Sequence, residues 1–243
     1  MRRANVLIVI LLASPVLAAC GKDSPRSAVS AKPATTTAPR PPAATAPPRS
    51  TNDGCRAVPA ATPKESADRR RPRRRLSRKR AYIATIRTNC GTIRVRLDVR
   101  RAPKTAASFA ALARRHFFDG LAFHRIAKPG GNDFVIQGGD PLGNGEGGPG
   151  YTVVEAPPAT TRYRRYDVAM AKAQSERPGT SGSQFFIVTG RDPGLEPVYA
   201  ILGRVVGGED AVRRIAAVPS DPASEAPLDP VVMSSVRVRS RRR

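Results

Sequence analysis

The chain has 243 residues and carries 42 Lys and Arg against 19 Asp and Glu, a formal net charge of +23. Seven of those cations are lysine, and there are two His, three Cys and no Trp. So few histidines exclude a multi-histidine metal centre, and the length accommodates one domain of about 150 residues plus extra segments.

From Met1 to Ala19 two arginines precede the apolar run VLIVILLA, a Ser-Pro break and then Leu17-Ala18-Ala19-Cys20. The run is short for a membrane span, and its basic flank and small-residue end read as a secretory signal. LAAC before Gly21 resembles the lipobox of bacterial lipoproteins, which implies acylation of Cys20 and a lipid-anchored protein on the extracytoplasmic face of the cell membrane; the alternative is an ordinary signal peptide with an incidental cysteine. Acylation of this type supplies the more than one chain that lasting attachment needs. Residues 20–80 are Pro, Ala, Thr, Ser and Arg with few large apolar side chains. That composition cannot offset the entropy of ordering, so a disordered tether is expected, with a reach of about 45 Å. It ends in RRRPRRRLSRKR, Arg69 to Arg80. Three readings stand for this run: an inert solvated spacer, a contact for anionic envelope polymers or lipid head groups, and, with no aromatics interleaved to stack on bases, least of all nucleic acid. Cys55 and Cys90 are the cysteines left once Cys20 is acylated, and in an exported protein they are expected to form a disulfide.

A folded domain is expected over 81–240. AYIATIRTNCGTIRVRLD reads as two strands, Tyr82 to Thr88 and Thr92 to Leu97, around the turn residues Asn89 and Gly91. APKTAASFAALARRHFF follows, with Pro103 in the first helical turn and Ala106, Phe109, Leu112 and Ala113 at helical spacing. Then come FHRI (123–126), FVIQGGDP (134–141), the Tyr166 run ending in MAKA (170–173), SGSQFFIV (181–188), VYAILGRVV, a short helix near 209–216 and a last strand VVMSSVRVR. Strand alternation puts Gln184, Phe186 and Val188 on one face and Phe185 and Ile187 on the other; Val135 pairs with Gln137, and Ala169 with Ala171. About eight short strands with two helices predict a mainly β fold, a closed eight-stranded antiparallel barrel capped by two helices.

These motif segments offer one guanidinium (Arg125), two amides (Gln137, Gln184) and apolar walls (Phe134, Val135, Ala171, Phe186), with no nucleophile, acid–base pair or metal cluster. Such a set suits a reaction that breaks no covalent bond. GNGEGG (143–148) matches a dinucleotide pattern formally, but Pro149 and no helix follows it, so it reads as a loop. His124 reads as a core residue, and His116 as a capping or exposed one.

FHRI, QGGDP, MA-x-A, SGSQFFI and LGRV, in that order from about Tyr82 to Val238, resemble the cyclophilin family of peptidyl-prolyl isomerases. The resemblance implies no cofactor, a monomer and proline-containing polypeptide substrates. It also implies catalytic Arg125 and Gln137, a pocket of Phe134, Val135, Phe186 and Leu195, and further substrate contacts at Ala171, Lys172, Gln184 and Tyr199. The chain departs from the family's common pattern at Lys172 (often Asn), Gly194 (often Trp) and Tyr199 (often His), and its AKPGGND loop before Phe134 is long. The departure at Gly194 bears on cyclic-peptide inhibition. Two functions follow: an isomerase acting on exported proteins as they fold, or a non-catalytic module that binds proline segments.

Overall fold

Alternation of apolar and polar side chains shapes the opening hairpin, in which β1 (Arg80–Thr88) pairs antiparallel with β2 (Gly91–Leu97). Ile93, Val95 and Leu97 are buried while Arg94 and Arg96 face solvent, as a strand with one wet face requires. This computed structural model describes residues 54–65 and 69–242. The leader, Cys20 with its acylation and the first part of the tether lie outside the described residues.

Helix α1 (Pro103–Arg114) follows, with Pro103 in its first turn, where a missing N–H costs nothing. The carboxylate of Glu155, from a distant loop, caps it by accepting the N–H groups of Lys104 at 3.0 Å and Thr105 at 2.9 Å. Every residue from Thr105 to Ala113 is buried, a wider apolar face than helical spacing alone predicts. His116, in the left-handed region at φ 57°, ends the helix, and its Nδ1 lies 2.9 Å from Asp119 Oδ2.

The remaining elements are β3 (Phe123–Ala127), β4 (Val135–Gly138), β5 (Val153–Val154), β6 (Asp167–Met170), β7 (Thr180–Ser181), β8 (Phe185–Val188), β9 (Ile201–Gly207), α2 (Glu209–Ala217) and β10 (Met233–Arg242). Glu209 and Asp210 open α2, where negative charge meets the positive end of the helix dipole. Eight strands form one antiparallel sheet in the order β10-β1-β2-β9-β6-β8-β4-β3, and β5 with β7 forms a separate pair. The sheet curls until its ends meet at a bridge between Ala122 and Val232, flanked by Phe123 N–H to Val231 O and Met233 N–H to Leu121 O, both 2.8 Å. This is the expected mainly β, eight-stranded architecture with two helices.

The core is centred on Phe185, whose ring meets Phe109, Phe118 and Phe123 edge-on at centroid distances of 5.6, 6.1 and 5.8 Å. Such edge-to-face pairs add about 0.5–1.5 kcal/mol each beyond the area they bury. A smaller apolar cluster of Ala127, Val135, Tyr163, Ala169, Phe186 and Val188 lies on the other face of the same strands.

Residues 54–65 and 69–79, assigned by composition to a disordered tether, instead lie as an irregular strap against the domain. Arg56 N–H donates to Asn89 O at 3.0 Å, Lys64 N–H to Pro141 O at 2.8 Å and Arg69 N–H to Pro149 O at 2.8 Å. Lys64 Nζ donates to the backbone oxygen of Asp119, and Leu76 packs on the main core. Paired backbone donors and a covalent tie, which composition cannot register, hold the strap. Asp119 braces the same region: burial raises its carboxyl, but bonds from Arg237, His116 and the Val236 N–H outweigh that and lower it to about 2.

The covalent tie is the bond between Cys55 and Cys90, with a Cα–Cα distance of 4.1 Å and a separation of 35 residues. Both residues are buried at 2% exposure. Closing such a loop limits the unfolded chain by about 4 kcal/mol in the chain-entropy model. Cys55→Ser/Cys90→Ser is expected to lose stability of that order in denaturant unfolding. Two labelled thiols in the non-reduced protein would contradict the bond.

Candidate active site

The site grows from the same alternation that builds the core. On β8, Phe185 and Ile187 are fully buried on the inner side, while Phe186 (4% exposed) and Val188 join the outer cluster. Val135 on β4 and Ala169 on β6 lie on that outer face too, and Phe134, Ala171, Leu195, Tyr199 and Ile201 pack around them half-buried. Strand pairing sets the register: Gln137 opposes Phe186 across β4 and β8, and Ala169 opposes Phe186 across β6 and β8. The result is an apolar seat whose floor is the Phe186 ring. Tyr199 stands edge-on to that ring with centroids 5.2 Å apart.

Arg125 and Gln137 are cross-strand partners on β3 and β4, which brings the guanidinium to the rim of the seat. A register shift between Phe123 and Arg125 marks a bulge at His124. Arg125 Nη1 donates to Gln137 Oε1 at 3.2 Å, Gln137 Nε2 to Gln184 Oε1 at 2.9 Å, and Gln184 Nε2 to the carbonyls of Gly145 at 2.8 Å and Gly147 at 3.0 Å. At the other end Arg125 Nε donates to Glu225 Oε2 at 2.5 Å. The guanidinium is thus held from two sides, and its Nη2 has no partner among the described residues. Its side chain is 35% exposed, so a ligand in the seat can reach it.

The Gly143–Gly148 loop serves this chain of bonds. Buried Asp140 folds it by accepting the N–H groups of Leu142 at 2.9 Å and Gly145 at 2.5 Å. A Cβ on Gly147 would collide with the Asp140 carboxylate, so glycine is required where the loop closes. Gly139 of QGGD has φ +89°, and a Cβ there would lie 2.7 Å from Ser183 O. A cavity of about 600 Å³ opens beside the seat, lined by Gln137, Gln184, Ala171, Lys172 and this loop.

The structure brings Arg125, Gln137, Phe134, Val135, Ala171, Gln184, Phe186, Leu195 and Tyr199 to one surface. Lys172 lines the adjoining cavity, but its ammonium turns inward to the carbonyls of Ala173 at 2.8 Å and Glu176 at 2.9 Å. Ala171 N–H donates to Gln184 O at 3.0 Å, tying the two walls together. His124 is shielded, with neither ring nitrogen bonded, and burial lowers its pKa. It therefore stays neutral, and because both ring nitrogens are shielded and unbonded it is not placed to act as a base.

Sequence reasoning missed two residues. Glu225, at φ 58° in the loop before β10, is far from Arg125 in the chain, and no local pattern announces it. Tyr163 is 5% exposed in the seat's wall; its hydroxyl donates to Tyr199 O at 2.5 Å and accepts from Tyr199 N–H at 3.1 Å. Burial pushes that hydroxyl up to about 12, so it keeps its proton. An aromatic set among the arginines of TRYRRY was the available signal.

A seat of this shape, with one fixed guanidinium and no reactive group, has close relatives. The family profile for "Cyclophilin type peptidyl-prolyl cis-trans isomerase/CLD" matches residues 83–238. Peptidyl-prolyl cis-trans isomerase B of Streptomyces anulatus is 40% identical over 176 residues, covering 65% of this chain and 97% of that protein. Peptidyl-prolyl cis-trans isomerase A of Mycobacterium tuberculosis is 39% identical over 173 residues, 64% of this chain and 91% of the relative. A cyclophilin-type isomerase crystal structure from Cryptosporidium parvum superposes with a TM-score of 0.59 at 32% identity, over 66% of this chain and 99% of its own. From fold, site and sequence together, the chain belongs to the cyclophilin-type peptidyl-prolyl cis-trans isomerases.

Proposed function

We propose that the protein turns Xaa-Pro bonds in exported polypeptides as they fold, from a lipid anchor at Cys20 on the extracytoplasmic face of the cell membrane. One observation carries the catalytic part: a guanidinium fixed by Glu225 and Gln137 at the rim of an apolar seat, with N–H donors left over. The peptide bond resists rotation by about 18–20 kcal/mol because the nitrogen lone pair is shared with the carbonyl. Phe134, Val135 and Phe186 grip the pyrrolidine ring. Arg125 donates to the nitrogen once twisting has localised its lone pair, so the interaction strengthens in the transition state and not before. Arginine suits this role because it stays protonated and its donors lie in a fixed plane. A relative solved in the presence of the dipeptide Ala-Pro supports proline-containing peptides as the ligand class. Export is supported by the LAAC signal and by the Cys55–Cys90 bond, since disulfides persist in oxidising compartments. The exposed arginines between 69 and 80, none of them in an ion pair among the described residues, suit contact with anionic envelope polymers or head groups.

Two substitutions test the catalytic reading, each followed by isomerisation rate and peptide Kd. Arg125→Ala is expected to lower kcat/KM by about a hundredfold, about 2.7 kcal/mol, with little change in Kd. Phe186→Ala is expected to weaken both, because the floor of the seat is gone. A wild type that binds proline peptides yet leaves their exchange at the uncatalysed rate would make the protein a binder only.

Glu225→Ala removes one of the two bonds that aim Arg125. A charge-assisted bond contributes about 1.5–3 kcal/mol net, so kcat should fall by about tenfold while KM moves little. Unchanged kcat would show that Gln137 alone suffices to orient the guanidinium.

Location is tested by detergent-phase partitioning. Wild type should enter the detergent phase and Cys20→Ser should not; aqueous partitioning of both would sink the anchor.

A further inference from the structure

Next to the proline seat, on the outer face of the sheet, lies a cleft of about 910 Å³. It runs between the loop 158–164, the outer side of β2, β6 and β9, and the end of β10. Its acids, Asp98 and Asp167, are already engaged by Arg101 at 2.6 Å and Arg204 at 2.5 Å. Arg96, Arg162, Arg164, Arg241 and Arg242 also line it, are exposed, and have no carboxylate partner among the described residues. Register adds a second sign of crowded positive charge, in which only Arg204 has a carboxylate partner among the described residues. Arg96 stands directly opposite Arg204 across β2 and β9, and Arg80 opposite Arg242 across β1 and β10. Like charges placed so weaken a sheet, and breaches of local rules of this kind cluster at functional surfaces.

What ties the cleft to the active site is shared wall. Tyr163 and Ile201 line the cleft and also belong to the apolar cluster that forms the seat. Tyr163 is bonded to Tyr199 through both its donor and its acceptor, and Tyr199 touches Phe186. Arg162 and Arg164 are the immediate chain neighbours of Tyr163. Extended peptide advances about 3.3–3.6 Å per residue. A substrate with its proline on Phe186 that leaves the seat past Tyr163 would bring residues a few positions away to the cleft.

We infer that this cleft selects substrates carrying Asp or Glu within a few residues of the proline. The inference rests on the proposed isomerase activity and names its substrate class. Contacts remote from the rotating bond hold ground state and transition state alike, so the selection acts through KM and leaves kcat alone. It is electrostatic and solvent-exposed, so it fades as salt shortens the screening length to about 3 Å near 1 M.

The test uses the exported protein and a set of proline peptides with Ala, Glu or Lys at each of the second to fourth positions on either side of the proline. Isomerisation kinetics and peptide Kd are both measured. At low salt the best Glu peptide is expected to exceed its Ala counterpart by about tenfold in kcat/KM, all of it in KM, with the Lys peptide below both. Arg162→Ser/Arg164→Ser should erase that order and leave the Ala peptide unchanged, while Arg162→Lys/Arg164→Lys should keep it. Turnover of the Ala peptide with Glu and Lys treated alike overturns the inference and leaves the isomerase reading intact. So does a short inorganic polyphosphate chain that binds the cleft while peptide choice stays flat, since the cleft would then be a polyanion site. If no peptide is turned over, the isomerase reading fails, and Kd alone still decides the preference.

Discussion

Strand β8 is the constraint on which both core and site depend. Its four residues are all buried, yet they face opposite ways: Phe185 and Ile187 into the barrel, Phe186 and Val188 into the outer seat. A pleated strand fixes this division with a period of two. The Phe185 ring, gripped by Phe109, Phe118 and Phe123, sets the position of the backbone, and the backbone in turn sets the position of the Phe186 ring. Packing in the interior thus places the floor of the site to within what a close-packed core allows.

The chemistry depends on a different kind of order. Arg125 belongs to a line of hydrogen bonds running from Glu225 through Gln137 and Gln184 to the carbonyls of the Gly145–Gly147 turn. Each amide in that line has one orientation, because its oxygen accepts from one neighbour and its nitrogen donates to the next. The arrangement holds the guanidinium plane without enclosing it. In the proposed mechanism, a preorganised donor of this sort costs no reorganisation when the substrate amide twists.

Charge is distributed unevenly around this centre. The seat itself is apolar and holds one cation, whereas the strap and the sheet face beside it are crowded with arginine. The strap is pinned at Cys55, Arg56, Lys64 and Arg69, so its basic run is carried on the domain. The chain's net charge of +23 favours the approach of acidic partners.

The sequence by itself determined the eight strands of the main sheet, both helices, the barrel class and nearly all of the seat. Apolar alternation in FVIQ and SQFFIV and the glycines of QGGD are local consequences of backbone geometry, readable wherever they occur. The motif order then singled out Arg125 from many arginines. Three things were decided only in the tertiary structure. Glu225 reaches Arg125 from a loop on the far side of α2, a pairing that no local spacing encodes. The strap lies on the domain because backbone N–H groups of Arg56, Lys64 and Arg69 find carbonyls in distant turns, which composition, blind to such partners, reads as disorder. And Tyr163, set among arginines in sequence, becomes the wall between seat and cleft only because two hydrogen bonds fold its loop onto Tyr199.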